Sequence, residues 1–166
     1  PKPLVPLRLS EQINTLWEGP DNILCLDVRR AIVREGADEP FLARIQQAVD
    51  NAGEAIHAVQ VVRDRKEDLA AALDAWKRLD GETAEARLFP LAQFMAETFT
   101  AAILCERAEW ELRQYGDDRK AVVAALYTER YLTDRNRLRD IDAPSSLALE
   151  RFDDLVAGAL VDERPR

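Results

Sequence analysis

With 166 residues, 47% of them apolar, the chain is long enough for one domain with a hydrophobic core. A net charge of −8 works against phosphate backbones and acidic membranes, and no apolar run approaches the roughly 20 residues that span a bilayer. No secretory signal with a basic start and an apolar centre is visible, and Cys25, Cys105 and the single His57 lack zinc-ligand spacing. The two thiols therefore read as reduced and buried in a cytoplasmic protein.

Residues 1–9 include Pro1, Pro3 and Pro6 and read as an extended lead-in, and Ser10 is placed to cap a short turn reaching Thr15. The stretch Leu16-Trp17-Glu18-Gly19-Pro20-Asp21-Asn22 follows as a loop that opens a helix. Gly19 allows a tight turn and close approach of backbone to a ligand. Pro20 suits the first helical position, where its missing N–H costs nothing. Glu18 thus stands at a loop-to-helix junction, near backbone N–H groups without helical partners, a suitable place for a general base and for an anionic or flavin ligand.

The first long helix is expected over 20–35, with Asp21 favourable in its first turn, Leu24, Val28 and Ile32 on its apolar stripe, and Gly36 as its stop. A second is expected over 39–52, capped by Asp38 and striped by Phe41, Leu42, Ile45, Ala48 and Val49. A third covers 54–79, with the charged run 63–68 either a solvated helix turn or a short break, and Asp80-Gly81 ending it. The next runs 83–115, kinked at Pro90 or truly starting there, and closes at Gly116. Helices over 118–138 and 147–161 complete the chain, separated by a turn containing Pro144.

No alternating strand pattern of useful length occurs, glycine is scarce, and alanine and leucine are abundant. The expected fold is all-α, an antiparallel helical bundle with short loops. Its organisation divides into a base-bearing lead-in at 1–19, a helical domain at 20–161 and a frayed tail at 162–166.

Trp17, Glu18, Gly19, Asn22, Ile23, Cys25, Leu26, Asp27 and Val28 together resemble the aromatic-Glu-Gly segment of the acyl-CoA dehydrogenase family and the helix after it. The likeness is greatest to the alkylation-response, AidB-like branch of these flavoproteins and covers about twelve residues. The helical remainder fits that branch in length and general character. The resemblance implies a bundle like the family's C-terminal domain. It also implies that the N-terminal helical and β-domains of a longer parent precede this segment, so that the chain alone is inactive.

Enzymes of this family remove the proton next to a thioester carbonyl while a hydride leaves the neighbouring carbon for flavin N5. The resemblance makes Glu18 the base and places Trp17 and Gly19 against the acyl-CoA substrate. A free glutamate, with a pKa of about 4.3, is too weak for this step, and burial against the Trp17 ring would raise it. A backbone N–H at the Glu18 turn is placed to polarise the thioester carbonyl. Pro20, Asp21 and Asn22 correspond to the stretch that contacts FAD. Pro20, where many members have threonine, brings neither hydroxyl nor N–H. Asp21 must point away from the diphosphate, and Asn22 keeps an amide for the cofactor.

The implied parent uses FAD, an acyl-CoA and an electron acceptor, and assembles as a homo-oligomer. Two other readings stand beside it. The first is a DNA-associated protective flavoprotein, since some AidB-like relatives are linked with DNA through their C-terminal helices. The most basic stretch here, 130–139 with Arg135, Arg137 and Arg139, alternates with Asp134 and Asp140 and reads as a solvated face, so DNA binding is not expected of this acidic segment. The second is a helical oligomerisation module without catalysis. No metal site and no membrane contact are expected.

Overall fold

The computed structural model describes residues 21–53, 56–133 and 147–160, and among these every regular element is an α-helix. In chain order they are α1 (Asp21–Glu35), α2 (Asp38–Ala52), α3 (Ala58–Trp76), α4 (Gly81–Ala86), α5 (Leu88–Tyr115), α6 (Arg119–Leu132), α7 (Leu147–Glu150) and α8 (Phe152–Leu160). The all-α expectation holds for the described residues.

Side-chain pairings fix the directions of the four long core helices. Lys66 on α3 donates to Gln46 on α2, and Lys77, just past α3, donates to Asp38 at the start of α2, so α2 and α3 are antiparallel. Phe41 stacks on Phe99 with centroids 5.4 Å apart, while Arg44 and Asn51 both reach Glu106, so α2 and α5 run the same way. It follows that α5 runs against α3. A turn at Gly116 sends α6 back along α5, where Tyr127 meets Thr100. The result is an up-down-up-down set, with α1 and α4 laid on α5 and with α7 and α8 laid on α6.

The core is the meeting of the helical stripes. Ile45, Val49, Val62, Leu69, Leu73 and Leu88 are sealed from water, and each contributes roughly 1.5–3 kcal/mol by burial. Ala48, Ala52, Ala101, Ala102, Ala108 and Ala124 are equally sealed, and their small side chains let the backbones approach closely around α5. Residues 88–105 of α5 carry only one charged side chain, Glu97. By length and composition α5 is apolar enough to cross a membrane, which corrects the expectation that no stretch comes near that limit. In this fold its apolar character serves five helices at once, because α1, α2, α3, α4 and α6 all pack on it.

Several boundaries differ from those expected, each for a local reason. Asp38 does not cap α2: it is the first helical residue, it is buried, and its carboxylate is taken by Lys77. The charged run 63–68 stays helical because Val62 and Leu69 on either side of it are anchored in the core, while Lys66 lays its stem along the bundle and carries its charge outward to Gln46 and Glu67. Asp80 starts an element as well as following one, since its side chain accepts from the Thr83 N–H and caps α4. The expected 83–115 helix is two, α4 and α5, parted at Arg87, and Pro90 falls in the first turn of α5, where its ring disturbs nothing. The 147–161 helix is likewise parted, at Arg151. Of the expected 118–138 helix, the part beyond Thr133 lies outside the described residues.

Gly36 and Gly116 end α1 and α5 with φ of +63° and +65°, a left-handed conformation in which a side chain would be strained. The Gly116 N–H returns to the Leu112 carbonyl, satisfying one of the last carbonyls of α5.

Candidate functional site

The residues singled out for chemistry divide sharply. Trp17, Glu18, Gly19 and Pro20 lie outside the described residues, as does the lead-in with Ser10. Asp21 and Asn22, expected to contact the cofactor, are helical at the first described positions of α1, and their side chains lie outside the description. The basic positions Arg135, Arg137 and Arg139 also fall outside it.

What the structure does define is α1 from Asp21 onward. Along α1, Cys25 and Ile32 are buried and Val28 packs against the same core. Arg29 reaches Glu85 of α4 and ties the helix down from its flank. The opposite side of α1 is mixed: Ile23, Leu26 and Val33, at 53%, 51% and 65% exposed, stand among the exposed charges of Asp27, Arg30 and Arg34.

Both cysteines are buried free thiols, as expected. Burial pushes the Cys105 thiol up to about 12, which removes the thiolate needed for nucleophilic or metal chemistry. No cluster of three metal-ligating side chains occurs among the described residues.

A crevice of about 540 Å³ lies between the end of α2 and α5, bordered by Asn51, Glu106, Trp110 and Arg113. Its charges are largely matched within the fold. Burial pushes the Glu106 carboxyl up, but hydrogen bonds from Arg44 at 2.5 Å and Asn51 at 2.6 Å outweigh it and hold the group below the usual carboxylate range. Arg113 donates to Glu109, and the Arg107 guanidinium lies 4.0 Å from the centre of the Trp110 ring. One oxygen of Glu109 and one of Glu111 are buried without a hydrogen-bond partner. Sequence reading missed these two acids. Their signal was present: Glu109 directly follows Ala108 on the inward stripe of α5, where a carboxylate is out of place. The crevice presents no nucleophile paired with a base.

Comparison of the chain with protein-family profiles, with curated proteins and with solved structures gives no match.

Proposed function

We propose that the chain is the C-terminal helical part of an FAD-dependent acyl-CoA dehydrogenase, closest to the AidB-like branch, in a cytoplasmic, homo-oligomeric flavoprotein. The observation that carries this reading is the segment 17–28, in which Trp17-Glu18-Gly19 is followed at the family's spacing by Asn22, Ile23, Cys25, Leu26, Asp27 and Val28. Glu18 takes the α-proton of an acyl-CoA thioester, and the β-hydride passes to the flavin. Trp17 supplies the apolar wall that raises the basicity of the carboxylate, and Gly19 lets the thioester approach the backbone.

Two features of the fold support it. Asp21 and Asn22, two of the residues that the resemblance assigns to the cofactor, lie in a helix that is described from Asp21 to Glu35, in keeping with the helix expected over 20–35. The outer side of α1 leaves the large apolar side chains of Ile23, Leu26 and Val33 exposed among its charges, surface that a neighbouring domain or subunit would cover. The same face favours a second reading, a purely structural assembly module, and light scattering across a range of concentrations separates a self-associating chain from a monomer. The net charge of −8 weighs against DNA as a partner.

The test is flavin content. The intact protein that carries this chain should purify with FAD, and its flavin should bleach when an acyl-CoA is added without oxygen. A colourless protein indifferent to added FAD would overturn the enzyme reading.

A further inference from the structure

A groove of about 430 Å³ runs between the end of α3 and the start of α5, within the roughly 300–1,000 Å³ of small-molecule sites. Its floor and walls are Trp76, Leu79, Leu91 and Phe94, and the small side chains of Ala72 and Ala75 leave it open along α3. The Trp76 ring is fixed in place because its Nε1–H donates to the Ala84 carbonyl at 2.8 Å, so this wall offers no free donor. Arg87 is the one charged residue that lines the groove.

Arg87 is exposed and forms no ion pair with a described residue, in a protein whose net charge is −8. Glu85, the acid nearest to it in sequence, is held by Arg29. Arg87 also directly precedes α5, whose first turn has no acid, so the positive end of that 28-residue helix adds to the guanidinium. One end of an otherwise apolar groove is therefore set for an anion.

We propose that this groove binds a single-chain amphiphile with an anionic head, a long-chain carboxylate whose alkyl body lies over Trp76 and Leu91 and whose head group meets Arg87. The walls decide against an extended peptide. A peptide would bring backbone N–H and C=O groups to an apolar surface that has no partner for them, whereas an alkyl chain brings none. The planar guanidinium fits a carboxylate with two parallel hydrogen bonds. None of the residues assigned to flavin chemistry enters this proposal, which stands or falls without them.

The experiment titrates the full 166-residue chain with dodecanoate, below its self-aggregation concentration, and follows the Trp76 indole N–H resonance by NMR. Dodecan-1-ol is the uncharged control. Dodecanoate should move the resonance saturably. Arg87→Gln should weaken dodecanoate binding on the order of tenfold, the effect of one charged hydrogen-bonding partner, and leave dodecan-1-ol unaffected. Ala75→Trp, at an exposed position on α3, should fill the groove and abolish both. No saturable shift, dodecanoate binding indifferent to Arg87→Gln, or binding that survives Ala75→Trp would each overturn the proposal.

Discussion

Lys77 Nζ, just beyond α3, donates to Oδ2 of Asp38 at the start of α2, closing the α2–α3 hairpin at the end away from its connecting turn. Asp38 is buried, whereas the Lys77 side chain is 39% exposed, so the pair's value lies mainly in satisfying a carboxylate that has left water.

Lys77→Met keeps the apolar stem and removes that donor. The variant should lose about 2 kcal/mol, the cost of an unsatisfied buried acceptor discounted for the exposure of the lysine, read as a lower urea midpoint at an unchanged slope. The hydrogen bond to Asp38 raises the Lys77 pKa above its usual 10.5. A raised pKa means that the contribution is whole below 10.5 and fades as pH rises through the higher folded value. The gap between wild type and variant should therefore hold from neutral pH to about pH 10 and shrink above it.

A pattern of apolar residues was enough to read the fold class and most helices, because burial repeats every three to four residues and leaves its mark at positions such as Val62, Leu69, Leu73 and Trp76. It was not enough to place caps. Asp38 and Asp80 are the same residue type at the start of a helix, yet Asp80 stands before α4 and accepts from the Thr83 N–H, whereas Asp38 lies inside α2 and is claimed by a lysine 39 positions away. That choice depends on tertiary contact and has no local signal. The groove at Arg87 was hidden for the same reason, since its walls come from two helices separated in sequence by α4. The reading of 17–20 rests on Gly19, Pro20 and the resemblance, and those residues lie outside the described ones.

Thr98 is fully buried on α5, and its hydroxyl has no hydrogen-bond partner among the described residues. Thr98→Val keeps the shape and removes the stranded polar group. The variant should gain about 1 kcal/mol, seen as a higher urea midpoint. Thr98→Ala, which removes the hydroxyl but opens a void, should gain less or lose stability.

Arg151, at the break between α7 and α8, forks onto Asp118 at 2.6 and 3.0 Å and reaches Asp154 at 2.8 Å. This fork fastens the last helices to the start of α6. Arg151→Ala should speed amide exchange across α7 and α8 and leave α3 and α5 protected. The Arg151 hydrogen bonds hold the Asp118 carboxyl below its usual 3.8, so its contribution is whole above that value and is lost as pH falls through the lower folded one. In the wild type the protection of α7 and α8, measured against intrinsic exchange at each pH, should begin to fall once the pH drops below 3.8. Because the pair is exposed, added salt should loosen it at neutral pH.

The central claim is that Glu18 is the base of a flavin dehydrogenase, and stopped-flow reduction of the bound FAD by an acyl-CoA in the intact Glu18→Gln flavoprotein tests it most directly. Glutamine keeps size and hydrogen bonding but cannot take a proton. FAD and acyl-CoA should still bind, and flavin reduction should slow by a factor on the order of 10² to 10⁴, the usual contribution of a general base. The loss should appear in kcat as well as in kcat/KM, because the interaction belongs to the transition state. Flavin reduction at the wild-type rate would contradict the account and place the base elsewhere.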